Sequence, residues 1–481
     1  MVILPPLRAL LLGAVLALAG CGDTQTGPIQ VSAIGGPPEM HNPNLETTDA
    51  TGAFLLEATA QGLVRFDALG EIEPALAQSW IVSDDGLRYT FRIRRASWPD
   101  GSRVTAEQVA GRVRAVVSRA SRSPLKPVLG AIDDAVAMTD QVLEISLKGP
   151  RPNLLQLLAQ PEMAIFVDGR GTGPYQPGEQ ETGAIRLSVP RPEDDEADAP
   201  DLPDLWLRGE PAAQAVARFT AGDADLVVGG NVGNLPFARA GRLSDQRLIF
   251  DPANGLFGLT FASAEGPLAD PAVRSALSMA VDRDGLLATL AVPGLQPRLS
   301  LLPAVEENVR PQTPDWSAQP LPMRRELASR AISALDAPLS VRIAMPDGPG
   351  YRLVFAHLRR DWRLIGVEAT RVAAGAPAEL RLLDEVAPAI LASWYLRHFA
   401  CDSSPVCSTE ADQAMEAARI AATGAERRAQ LFQAHQLLSV ATAYIPLTSP
   451  VRWSLVSTRL TGFRPNPFAR HPAGTLLASD G

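Results

Sequence analysis

An α/β protein of more than one domain is predicted by three features of the sequence. Stretches with helical spacing and stretches with strand alternation follow one another along most of the chain, which is the pattern of mixed α/β layers. The chain has 481 residues, too many for one ordinary hydrophobic core. Its 42 prolines argue for many loops and against a helical bundle. At 46% hydrophobic and 20% charged the composition is globular. A net charge of −9 offers no basic face for nucleic acid.

The elements follow in order. "IQVSAIGG" at 29–36 alternates like a strand, and "GAFLLEATAQGLVRFD" at 52–67 reads as a helix ending at Gly62 and then a short strand. "SDDG" at 83–86 is hairpin chemistry. It leads into "RYTFRIRR", where Tyr89, Phe91 and Ile93 share one face and Arg92 and Arg94 the other. In "VTAEQVAGRVRAVVSRA", Thr105 is the expected N-cap, with Glu107 and Gln108 in the first turn. Val109, Val113, Val116 and Val117 follow there at helical spacing. "QVLEISLKG" is another strand. "AQAVARFTAGDADLVVGG" at 213–230 gives helix, turn and buried strand, and "GGNVGN" at 229–234 is a strand-to-loop bend, not a phosphate loop. "DPAVRSALSMAVDRDGLLATL" at 270–290 is expected as one helix with Val273, Leu277 and Ala280 on one side. A helix in "RRELASRAISAL" and a strand in "LSVRIAMP" come next. Residues 351–372 read as helix, Gly366 turn and strand, and 408–441 as two helices around Thr423 and Gly424. The acidic, proline-broken "RPEDDEADAPDLPD" at 191–204 reads as a solvated loop, since it lacks calcium-loop spacing. No repeat of solenoid period is present.

The N-terminus carries Arg8 and then the apolar run "ALLLGAVLALAG" at 9–20. That is short of the roughly 20 residues a spanning helix needs, and it fits the apolar region of a secretory signal. No later run reaches spanning length. "LAGC" at 18–21 resembles the bacterial lipobox, which implies cleavage before Cys21 and acylation of its thiol and amine. Stable anchoring needs more than one acyl chain. With Cys21 lipidated, Cys401 and Cys407 remain as a pair in an oxidising compartment, where a disulfide is expected. A metal site on His398, Cys401 and Cys407 is the competing reading, and it lacks a fourth ligand and a standard zinc spacing.

Catalytic signatures are absent: no G-x-S-x-G, no H-E-x-x-H and no P-loop lysine. The five histidines, at 41, 357, 398, 435 and 471, are scattered. No enzyme activity, cofactor or metal is expected.

Several segments, read in order, are similar to one family, the large solute-binding proteins of ABC importers for oligopeptides, dipeptides and nickel. The most specific is residues 57–110, with "GLVRFD", "PALAQSW", "SDDGLRYTFRIR" and "DGSRVTAEQV". "GTGPYQ", "ARFTAGDADLV", "PLADPAVRSALSMAVDRDGLL", "LRRDWRLIGVEATRV" and "YIPLTSPVRWSLVSTRLTGF" complete the series. The resemblance implies the two-lobed periplasmic-binding-protein fold, with mixed sheets flanked by helices, an extra domain and a hinged cleft. It places a signal peptide at 1–20 and a lipidated tether at 21–27. Lobe one would comprise 28–60, 163–255 and 444–481, the extra domain 61–162, and lobe two 256–443.

The resemblance further implies a monomer that captures a small peptide or peptide-like solute and delivers it to an ABC permease and ATPase complex. Its only hold on a membrane would be the lipid. The location would be periplasmic, on the inner-membrane side, with sorting left open because Gly22 replaces the aspartate that commonly retains lipoproteins there. Nickel chelates, opines and oligosaccharides stay open as cargo, as does sensing without transport. Ligand-facing strands would be "PPEMHNPN", with Glu39 and His41, and "ELRLLDEVAP". Where relatives carry an amine-anchoring aspartate, Ala387 or Pro388 stands, so Asp384 or Glu385 would substitute, or the ligand has no free amine. Trp394 and Tyr395 either stack on ligand or pack under the 401–407 loop.

Overall fold

The computed structural model describes residues 27–167, 169–190, 202–241, 247–303 and 308–477. The signal peptide, Cys21 and most of the acidic 191–204 segment lie outside the described residues.

Two sheets organise the molecule. The first has seven strands in the order Gln176–Glu181, Ala184–Ser188, Leu205–Glu210, Ile29–Ile34, Leu226–Asn231, Arg452–Val456 and Leu248–Asp251. Ile29–Ile34 runs parallel to both of its neighbours, and Ile29, Val31 and Ala33 are buried. The helix Ala212–Ala221 is the crossover between those neighbours; it stops at Gly222, whose φ of 85° is the left-handed cap that glycine adopts without strain. The second sheet has five strands: Glu368–Ala373, Ser340–Met345, Leu380–Val386, Gly255–Phe261 and Tyr444–Thr448. Its parallel pair Ser340–Met345 and Glu368–Ala373 is joined through the helix Pro349–Arg363.

A third, four-stranded antiparallel sheet, in the order Ala77–Val82, Arg88–Ile93, Val142–Leu147 and Ile132–Thr139, lies within the span expected as the extra domain. The Arg88–Ile93 strand buries Tyr89, Phe91 and Ile93, each contributing about 1.5–3 kcal/mol of apolar burial. The helix Ala106–Val117 packs on this sheet and begins with a capping box: Thr105 accepts from the Gln108 N–H, and the Gln108 side chain accepts from the Thr105 N–H at 3.0 Å.

Three details depart from the sequence reading. The first long helix is Ala50–Thr59 and stops short of Gly62, because Gln61 leaves it to bridge Ile165. The stretch 270–290 is two helices, Pro271–Ala280 and Arg283–Leu290. Asp282 breaks it: its carboxylate caps the second helix by accepting from the Gly285 N–H at 3.0 Å, while its own N–H donates to Asp361 at 2.8 Å. The lobe boundary expected at 443/444 falls one strand early. Tyr444–Thr448 pairs antiparallel with Gly255–Phe261 in the second sheet, and only Arg452–Val456 joins the first. The chain therefore crosses between the sheets at 252–254 and at 449–451.

Candidate ligand-binding cleft

The strand Leu380–Val386 carries the acids expected at the site. Successive side chains on a strand point to opposite faces, and Asp384 and Glu385 divide accordingly. Asp384 faces the lobe junction: Arg452 donates to its Oδ1 at 2.6 Å and to its backbone carbonyl at 2.9 Å, and the Tyr351 hydroxyl donates to Oδ2 at 2.6 Å. Only 8% of its side chain is exposed. Both carboxylate oxygens are thus committed, and Asp384 is not open to a ligand ammonium as expected. Burial works against the Arg452 charge, but Asp384 outweighs it and holds the guanidinium above its usual range.

Glu385 takes the other face and lines a cavity of about 540 Å³ between the lobes, a size suited to a small-molecule ligand. Lobe one contributes Ile34, Asp49, Gly229 and Asn231, and lobe two contributes Glu385 and Trp394. Arg452 and Arg470 add positive charge. Asp49 is fixed as the cap of the first helix, accepting from Gly52 N–H at 2.8 Å and Gly36 N–H at 2.7 Å. Gly229 has φ of 84°, and a Cβ there would come within 2.6 Å of Ala50 Cβ, so this part of the wall must be bare backbone.

Glu385 accepts from His398 at 3.1 Å. Burial raises the Glu385 pKa, but His398 and Arg452 outweigh it and hold the carboxyl below its ordinary value. Burial likewise opposes the charge on His398, and Glu385 outweighs it, so the imidazole is held above its ordinary value. The edge of Leu380–Val386 away from Gly255–Phe261 pairs with Ser340–Met345 at Leu380 and Arg381, and among the described residues, 382–386 have no strand partner on that side.

Glu162, which no sequence pattern singled out, also lines the cavity. It sits in the short turn Pro161–Met163 with 11% of its side chain exposed. Arg470 approaches Oε1 at 3.5 Å, while the buried Oε2 has no hydrogen-bond donor among the described residues. Such an oxygen retains its desolvation penalty until a donor arrives. An acid directly after proline in an unpatterned loop was the only hint available.

The remaining expected residues separate. Glu39 and His41 do not line the cavity; His41 lies between Glu39 at 3.6 Å and Glu46 at 3.2 Å on an exposed loop. Trp394 reaches the cavity wall, with its ring edge-on to His398 at 4.6 Å. Tyr395 is fully buried against it, with ring centroids 4.8 Å apart. Cys401 and Cys407 are joined by a disulfide, Cα–Cα 5.1 Å, which takes both sulfurs out of reach of a metal. Among the described residues no helix is long and apolar enough to cross a membrane.

The geometry meets known proteins at several points. The crystal structure of Haemophilus influenzae OppA in complex with RPPGFSPFR superimposes with a TM-score of 0.80 at 18% identity, covering 93% of this chain and 98% of that one. The nickel-binding periplasmic protein of Escherichia coli K12 is 29% identical over 268 residues, 51% of this chain and 50% of the relative. The periplasmic oligopeptide-binding protein OppA of the same organism is 22% identical over 321 residues, 59% of each. The matched stretch thus spans about half the length of the nickel-binding relative. The model of the bacterial extracellular solute-binding proteins, family 5 Middle, matches residues 71–397, more than half the chain, and the chain belongs to that family.

Proposed function

We propose that this chain is a binding protein, not an enzyme, that closes over a small peptide-like solute and delivers it to an ABC permease and ATPase complex. One observation carries this reading: a cavity of ligand size lies between two sheets, and the chain passes from one to the other in the short crossings at 252–254 and 449–451. Two bodies joined that way can hinge over a ligand. The unpaired strand edge at 382–386 supports a peptide-like solute, because an extended ligand can add to such an edge through its backbone. Glu162, whose Oε2 lacks a donor among the described residues, is the carboxylate that a ligand ammonium would meet, while Glu385 is shared with His398. No histidine lines the cavity among the described residues, which favours a peptide over a histidine-held nickel ion.

A lipid on Cys21 would keep the receptor close to its permease, raising effective concentration without new contacts. The receptor would act as a monomer in the periplasm. Native mass spectrometry of the purified mature protein tests the reading. A retained peptide-like mass that is lost in Glu162→Gln is expected, together with a smaller solution-scattering radius when ligand is added. A scattering profile indifferent to every retained or added solute would overturn it.

A further inference from the structure

The cleft does not end at Trp394. A second cavity of about 650 Å³ lies beyond it, and Trp394, Glu385 and Pro124 line both spaces. One wall of this chamber is apolar, formed by Pro124 and Pro127 of the extra domain with Phe261 and Leu383 of lobe two. Another is the loop closed by the Cys401–Cys407 disulfide, which contributes Asp402 and Pro405.

The charged groups around it are unequally committed. Glu385 is held by His398. Asp402 accepts from the Ser403 hydroxyl at 2.7 Å. Arg381 donates to the backbone carbonyls of Ala374 and Ala376. Glu416 is taken by Arg419, whose Nε donates to it at 2.8 Å. Arg397, at the end of the helix Ala392–Arg397, lines the chamber half-buried, and its guanidinium has no hydrogen bond or ion pair among the described residues. Burial, partly offset by Glu416, holds its guanidinium below the usual arginine range. A guanidinium drawn out of water with its donors unused is matched by a carboxylate, which it can bind through two parallel hydrogen bonds.

We propose that this chamber receives an apolar, carboxylate-bearing end of the solute, with Arg397 as the anion anchor and the disulfide loop as a fixed wall. The proposal rests on the reading that the interlobe cavity holds a peptide-like solute, and it narrows that solute to one with an acidic group beside apolar surface. Arg397 binds the charge, the prolines and Leu383 cover the hydrocarbon, and the Glu385–His398 pair keeps a competing carboxylate occupied.

The test uses two small probes, 4-phenylbutyrate and its neutral amide, titrated by calorimetry into mature, disulfide-bonded protein dialysed free of retained solute. The acid is expected to bind about tenfold more tightly than the amide, as a bidentate charge-assisted contact implies. Arg397→Gln is expected to bring the acid down to the affinity of the amide and to leave the amide unchanged. Arg397→Lys keeps the charge without the fork, and is expected to retain part of the preference even if the glutamine variant folds poorly. Cys401→Ser with Cys407→Ser is expected to weaken both probes together. Equal binding of acid and amide to the unmodified protein, a preference that survives Arg397→Gln, or no binding of either probe would each overturn the proposal. An acid preference in a protein that holds no solute between its lobes would sink the transport reading and leave the chamber standing; a retained solute without acid preference would do the reverse.

Discussion

Beside the chain crossings, the lobes are joined by buried charge and bare backbone; at residues 388–390 lobe two meets the 61–162 segment through three side-chain amides. At the crossings, Arg452 of the first sheet reaches Asp384 of the second, and Tyr351 completes the carboxylate. Next to this group Gly350 donates its N–H to Gly233 at 2.9 Å, and a Cβ on Gly350 would fall 1.7 Å from the Val232 carbonyl oxygen. At the other junction Gln160 donates to the Pro388 carbonyl at 2.7 Å, the Ile390 N–H donates to Gln156 at 3.0 Å, and Asn153 donates to the Ile390 carbonyl. Parting the first junction strands a carboxylate that water reaches poorly. Parting the second exposes neutral groups that water satisfies at once. The first is built to persist and the second to be made and broken, and a hinged receptor needs both.

The contrast can be broken by experiment. Arg452→Ala leaves the Asp384 carboxylate buried without its cation, and the expected loss is about 3–5 kcal/mol in urea unfolding. A loss below about 1 kcal/mol, the scale of an exposed pair, would show that the junction is no firmer than the amide one. Gly350→Ala forces a methyl group onto the Val232 carbonyl. It is expected to cost about 1–3 kcal/mol and to enlarge the scattering radius; an unchanged radius would remove the seam from the closed state. Any one of Asn153→Ala, Gln156→Ala or Gln160→Ala should move the urea midpoint only slightly, since a hydrogen bond exchanged for water is worth only about 0.5–1.5 kcal/mol. Its effect should appear as weaker ligand binding, because a less populated closed state lowers apparent affinity in proportion. A large drop in stability with intact binding would reverse the assignment.

The smallest effect concerns the Glu385–His398 pair, which is partly exposed. His398 is raised above 6.5, so its contribution is full below that value and is lost as pH rises through the raised pKa. Glu385 is lowered beneath 4.5, so its contribution is full above that value and is lost as pH falls through the depressed pKa. Melting curves of His398→Gln against the parent should therefore differ most between pH 4.5 and 6.5 and converge on either side. A constant difference across pH would mean that the ring acts by packing on Trp394 alone.

What the sequence made legible was local. Thr105, the expected N-cap, begins its helix with a capping box to Gln108. The alternation around Tyr89, Phe91 and Ile93 predicts their burial, and a helix packs on the sheet to which that strand belongs. What stayed hidden depends on distant partners. The break at Asp282 requires Asp361, 79 residues away. The sheet that claims Tyr444–Thr448 is decided by Gly255–Phe261, far upstream. Glu162 gains its place from Arg470, 308 residues away. Composition makes Asp384 and Glu385 equivalent acids, and strand alternation sends them to opposite faces.

The strand order of the first sheet has a consequence for biosynthesis. Leu248–Asp251 has Arg452–Val456 as its one strand partner among the described residues, and that strand itself slots between Leu248–Asp251 and Leu226–Asn231. As the polypeptide emerges, everything from 255 to 448 must appear before the keystone of the first sheet does. Lobe two can therefore mature as an uninterrupted insert while its host waits unfinished. A ribosome stalled or a chain clipped before residue 452 would release a receptor whose second half is complete and whose first half is still open at the seam.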